Sequence, residues 1–125
     1  MGDDNHCNKE KSLFKKLNCA IEGIIEVIRH EKNMRLHFFA TVFVIVFSLF
    51  VGLSKIELAI ITFAIALVWV TETINTAIEK VIDIYTKEYH ELAKFAKDAA
   101  SGAVFISAVT AVIIAYLVFY SHFEK

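Results

Sequence analysis

The sequence predicts an all-α membrane protein: an N-terminal amphipathic helix lying on the membrane surface, then three transmembrane helices. Three observations carry that prediction. Hydrophobic residues make up 57% of the 125-residue chain and aromatic residues 13%, with no proline and only four glycines; soluble domains are about 45–50% apolar. Three long segments carry almost no charge. A further segment ahead of them repeats its apolar residues at helical spacing. The length fits one small domain, a membrane-embedded unit over residues 12–125 after a polar tail over residues 1–11.

The elements follow in order. Residues 1–11 (MGDDNHCNKEK) are polar throughout and read as a frayed tail. Residues 12–31 (SLFKKLNCAIEGIIEVIRHE) place Leu13, Leu17, Ile21, Ile24 and Ile28 on one side of a helix. Lys15, Asn18, Glu22, Glu26 and Arg29 fall mostly on the other. Beside membrane spans, such a helix belongs at the interface, its apolar face in the acyl boundary.

The spans are expected at about 35–53, 56–79 and 99–120. A helix needs about 20 residues to cross a hydrocarbon core of roughly 30 Å. The first and third meet that requirement, and residues 36–53 and 99–120 carry no formal charge. The second meets it only if its helix runs on from the apolar stretch ending at Thr71 through VTETINTAIE, which places Glu72 in the last turns of the span. In the third, Ala99, Ala103, Ser107, Ala111 and Ala115 repeat every four residues, a strip of small side chains that lets helices approach closely in lipid.

Lysine and arginine counts set the orientation. Residues 1–35 hold seven, residues 54–57 one, residues 80–98 four and the C-terminal tail one. The positive-inside rule puts the N-terminus and the 80–98 loop in the cytoplasm and the C-terminus outside. A net charge of −1 gives no basic field for nucleic acid. Neither Cys7 nor Cys19 belongs to a CxxC pair or a Cys/His cluster; both are expected as free thiols in a reducing compartment. His6-Cys7 is not expected to hold a metal. The mixed charges ahead of the first apolar segment do not read as a cleavable signal peptide.

The chemistry concentrates after the second apolar run. On a helix, Glu72, Thr76, Glu79 and Asp83 lie at i, i+4, i+7 and i+11, one acidic stripe with Asn75 beside it. An ionisable group at membrane depth costs on the order of 2.5–3.5 kcal/mol, so such a stripe needs a task. A carboxylate at the hydrocarbon boundary can act as general base toward an alcohol. A second, nearer water, can hold Mg²⁺, which takes one or two protein carboxylates plus substrate phosphates. A lipid hydroxyl arriving from the membrane and a nucleotide from the cytoplasm would meet at this depth, which suggests phosphoryl transfer onto a lipid alcohol. No phosphate-binding glycine loop is present; Gly2, Gly23, Gly52 and Gly102 are isolated. Side chains and metal would have to replace it. Candidates stand in His30-Glu31-Lys32-Asn33-Met34-Arg35, in Glu88-Tyr89-His90-Glu91 and in Lys97-Asp98, the last two clusters expected in the loop between spans two and three.

The patterns Glu72-x-x-Asn75-x-Ala77-Ile78-Glu79-x-x-x-Asp83 and Glu88-Tyr89-His90-x-Leu92-Ala93-x-x-Ala96-Lys97-Asp98 resemble the signature of the small bacterial integral-membrane diacylglycerol kinases. That family includes the undecaprenol kinases of Gram-positive bacteria, and the resemblance covers about residues 12–120. It implies a homotrimer in the bacterial cytoplasmic membrane, with active sites shared between subunits, ATP as co-substrate and Mg²⁺ as cofactor. It further implies Glu72 as general base, Glu31 and Glu79 as metal-holding residues, and Glu88, Tyr89, His90, Lys97 and Asp98 as ATP contacts. Arg35, Asn75, Asp83 and Ser101 would support the site or the substrate. The stretches Asn33-Met34-Arg35-Leu36-His37 and Ala96 to Ala103 are similar to the Gram-positive branch, which favours undecaprenol over diacylglycerol. The non-enzymatic alternative is a small membrane scaffold or sensor whose acidic stripe contacts a partner helix. An ion carrier would need polar groups spread through the bilayer depth, and spans one and three offer little beyond Ser48, Ser107 and Thr110.

Overall fold

The computed structural model describes residues 12–125; the tail expected over 1–11, with His6 and Cys7, lies outside them. The described residues form four α-helices: α1 (Leu13–His30), α2 (Lys32–Val51), α3 (Lys55–Tyr85) and α4 (Glu91–Glu124). By length and composition α2, α3 and α4 can each cross a membrane.

Local chemistry sets each boundary. The Ser12 hydroxyl caps α1 by accepting from the Lys15 N–H. Glu31, in extended conformation, both ends α1 and begins α2, so the two helices meet at a one-residue corner. At the other end of α2, Gly52 takes φ 78°, a left-handed conformation natural only to glycine. The Gly52 and Leu53 N–H groups then reach back to the Ser48 carbonyl, closing the helix end. Ser54 and Glu57 form a reciprocal capping box that starts α3. The Nδ1 of His90 accepts from the Leu92 N–H and starts α4.

α3 runs unbroken through the acidic stripe, as its length requirement predicted. Its 31 residues make a rod of about 46 Å, well beyond a hydrocarbon core of about 30 Å. α4 starts at Glu91, not near residue 99. Lys97 and Asp98 are therefore on a helix, not in the expected loop. The strong helix formers Ala93, Ala96, Ala99 and Ala100 and the i,i+4 pair Lys94–Asp98 favour that extension.

α3 and α4 pack together along most of their length. Leu53, Ile61 and Val118 form a buried cluster, joined by Val44, Ile65, Ile114 and Phe119. Deeper polar ties are few and specific. The Thr71 and Ser107 hydroxyls lie 2.7 Å apart across α3 and α4, and Trp69 Nε1 donates to Thr41 Oγ1 (2.8 Å) across α3 and α2. The expected small-residue strip is only partly on this interface. Ser107 is buried and Ala111 and Ala115 half-buried, but Ala99 and Ala103 are exposed while Ala100 is buried in their place. The reason is geometric: a four-residue repeat turns about 40° per step around an α-helix, so the strip spirals off the contact face.

At the end away from the acidic stripe, one carboxylate gathers three helix termini. Glu57 faces His122 Nδ1 (3.2 Å) and accepts from Lys125 Nζ (3.2 Å), while His122 Nε2 donates to the Val51 carbonyl (3.0 Å). Outward faces carry large apolar side chains such as Phe39, Phe43, Phe50, Phe63 and Phe105; a protein surrounded by lipid needs no polar coat there. Cys19 is disulfide-bonded, against the free thiol expected. That expectation came from compartment, which no residue of the chain encodes.

Candidate active site

The acidic stripe on α3 leads from the interior outward. Glu72 and Thr76 are each only 6% exposed, whereas Glu79 and Asp83 are half-buried. Thr76 turns its hydroxyl onto the Glu72 backbone carbonyl (3.0 Å). The Glu72 carboxylate itself has no hydrogen bond or ion pair with any described residue. Asn75, on the neighbouring turn, has its Oδ1 buried without a partner. Leaving one buried polar group unsatisfied costs about 1–3 kcal/mol. Asn75 therefore marks a place where α3 gives up stability.

Two cavities flank the stripe. A groove of about 530 Å³ opens between α1 and α3, lined by Gly23, Val27, Glu31, Thr76 and Lys80 among others. Its walls are largely apolar, with charges at one edge. Glu31 enters this edge from the α1–α2 corner, and Lys80 Nζ lies 3.8 Å from its carboxylate. The second cavity, about 230 Å³, sits between the end of α3 and the start of α4. Glu88, Tyr89, His90, Lys97 and Asp98 all line it. Lys97 Nζ donates to Asp83 (3.1 Å), tying the cavity to the outer end of the stripe. Thr86 and Glu88 fold the connecting loop by mutual hydrogen bonds.

Six predicted residues line neither cavity: Glu72, Asn75, Glu79 and Asp83 on the stripe, and Arg35 and Ser101 away from it. Arg35 closes the α1–α2 corner, donating through Nη1 to the Arg29 carbonyl (2.7 Å). Ser101 is exposed on α4 and lines neither cavity. Conversely, Lys80 and Thr73 in the groove, and Thr86, Lys87 and Lys94 in the second cavity, were not singled out. Lys94 had one available signal, its i,i+4 spacing to Asp98; Lys80 had only its position beside Glu79.

Among the described residues no group of three or more His, Cys, Asp or Glu side chains could hold a metal alone. The donors at hand still suit Mg²⁺. They are carboxylate oxygens, and Mg²⁺ is commonly held by one or two carboxylates together with substrate phosphates. A cation, the Lys80 ammonium, already stands against the Glu31 carboxylate.

Comparison with known proteins gives a consistent picture. A family model described as prokaryotic diacylglycerol kinase matches residues 18–119. The chain is 41% identical over 119 residues to an undecaprenol kinase of Bacillus subtilis, covering 95% of this chain and 97% of that protein. It is 38% identical over 104 residues to a diacylglycerol kinase of Synechocystis, covering 82% and 59%. It is 34% identical over 111 residues to a diacylglycerol kinase of Escherichia coli, covering 89% and 91%.

Proposed function

The chain belongs to the prokaryotic diacylglycerol kinase family, and from that premise we propose that it is a lipid kinase that moves the γ-phosphate of ATP onto a membrane lipid alcohol, undecaprenol first. The observation that carries the proposal is Glu72, a buried residue without a partner among the described residues, one turn from Thr76 at the apolar groove and on the same helix that leads to the charged cavity. The groove between α1 and α3 suits a lipid headgroup and the first part of its chain. The cavity lined by Glu88, Tyr89, His90, Lys97 and Asp98 suits the nucleotide.

In the transfer, Glu72 takes the proton from the lipid hydroxyl. The hydroxyl oxygen bonds to the γ-phosphorus, the bond to the bridging oxygen breaks, and ADP leaves. Glu31 and Glu79 would hold Mg²⁺, which when bound offsets charge on the phosphates. Lys97, fixed by Asp83, presents a cation to the nucleotide side. Asn75, with its unsatisfied amide oxygen one turn from Glu72, supports the polar end of the lipid. Arg35 supports the site indirectly, through the corner that presents Glu31; Ser101 belongs to the substrate side of the assembled protein.

The wider frame follows the same reading. α1 lies at the membrane surface, its exposed Leu13, Leu17, Ile21 and Ile24 in the acyl boundary. The N-terminus and the site face the cytoplasm of a bacterial cell, as the lysine and arginine distribution favours. Three copies complete the sites between neighbours, and the exposed small residues Ala99 and Ala103 offer close contact for that assembly. The choice of undecaprenol is supported by the similarity to the Bacillus subtilis undecaprenol kinase over nearly the whole of both chains. Diacylglycerol is the alternative, after the other relatives. Initial rates with undecaprenol and with diacylglycerol, at equal ATP and Mg²⁺ in one detergent, test it. Faster turnover of undecaprenol is expected; faster turnover of diacylglycerol reverses the assignment, and no phosphorylation of either removes it.

A further inference from the structure

The corner between α1 and α2 is held from several sides. The Glu31 N–H donates to the Val27 carbonyl (2.9 Å), and Arg35 Nη1 donates to the Arg29 carbonyl (2.7 Å). His30 Nδ1 lies 3.0 Å from the Glu26 carbonyl, and Met34, at the start of α2, is fully enclosed. The backbone that carries Glu31 therefore has little room to retreat from α3. Lys80 is the opposite kind of partner, a four-carbon stem on the last turns of α3. Its side chain is 65% exposed against 27% for Glu31. The carboxylate is the fixed member of the pair and the ammonium the movable one. Neither side chain has another ion-pair or hydrogen-bond partner among the described residues.

We infer that Lys80 is a removable counter-ion of Glu31, one that weakens the hold of this carboxylate on a bare divalent cation. The inference rests on the proposal above that Glu31 is a metal-holding residue. An ammonium and a divalent cation compete for the same two oxygens. Lys80 neutralises Glu31 when no metal is present and has to swing aside when one arrives. Tethered on α3 opposite Glu31, the displaced ammonium stays within reach of that carboxylate and opposes a bare cation there. A cation that comes already bound to a nucleotide brings phosphate charge that the ammonium can meet instead. Lys80 thus makes the site favour the metal–nucleotide pair over the free metal.

The test is Mn²⁺ binding to the full chain in detergent, without nucleotide or lipid, read from the electron paramagnetic resonance of free Mn²⁺. Lys80→Gln is expected to bind Mn²⁺ about fivefold more tightly than the parent chain, the scale of one partly exposed ion pair. Lys80→Arg keeps the charge and is expected to stay within about twofold. Glu31→Gln in the Lys80→Gln background is expected to abolish the gain. Unchanged or weaker binding in Lys80→Gln, with Glu31→Gln still lowering affinity, overturns the role of Lys80 and leaves Glu31 as a metal-holding residue. Mn²⁺ binding indifferent to Glu31→Gln in both backgrounds overturns the metal-holding proposal, and the role of Lys80 with it.

Discussion

Glu72 is the one buried carboxylate among the described residues. Glu31, Glu57, Asp83 and Asp98 each have a cationic partner, and each is more exposed than Glu72. A buried carboxylate without a partner costs stability, so its removal separates function from folding. Glu72→Gln is expected to lower turnover by about 10²–10⁴-fold while the unfolding temperature in micelles stays level or rises. A kinase assay beside a thermal scan checks both halves. The Asp83–Lys97 pair behaves differently, because both side chains are about 40% exposed. Asp83→Asn is expected to change stability by less than about 1 kcal/mol but to raise the KM for ATP, since Lys97 loses the partner that holds it at the cavity. The stripe from Glu72 to Asp83 was legible in the sequence because charge inside an apolar run has few structural excuses. The orphaned oxygen of Asn75 was not, because satisfaction depends on neighbours that only the packed helices supply. Lys80, Lys87 and Lys94 were overlooked because a lysine near a helix end reads as an ordinary solvated charge.

Helix boundaries show the same division. The unbroken passage of α3 through VTETINTAIE followed from bilayer thickness, and the structure bears it out. The early start of α4 did not follow, since hydropathy marks where lipid begins and not where the helix begins. The alanine strip failed for a reason of period: spacing of four is not the period of the helix. Two substitutions one turn apart expose that difference. Ala100→Leu, at a buried position against α3, is expected to cost about 1–3 kcal/mol by overpacking. Ala103→Leu, at an exposed position, is expected to leave the helix pair intact and to act only on association between copies. Denaturant titration in micelles reads the first effect and chemical cross-linking the second. Equal losses of subunit stability would place the whole strip on the α3 contact. At the α2–α3 turn, Gly52→Ala is expected to cost about 1–2 kcal/mol, because φ 78° brings a Cβ against its own backbone.

Across the whole molecule, α2 meets α3 at few points. It meets α3 through the Thr41–Trp69 hydrogen bond, the edge contact of Phe38 with Trp69 and the apolar cluster near Leu53. Its C-terminal end is tied by His122, which bridges the Val51 carbonyl and Glu57. Glu57→Ala is expected to lower the unfolding temperature more than Lys125→Ala, since the carboxylate meets Ser54, His122 and Lys125 and the ammonium meets only Glu57. The same knot has a consequence for depth. Glu57 is fixed at one end of a rigid shaft, and Glu72 stands about 22 Å further along it. In the orientation proposed above, the shaft works as a plumb line dropped from the far leaflet. Long acyl chains would then sink the Glu72 carboxylate away from cytosolic water, and short ones would lift it clear of the oil. Turnover in vesicles of graded chain length should therefore rise to one optimum thickness and fall on either side of it.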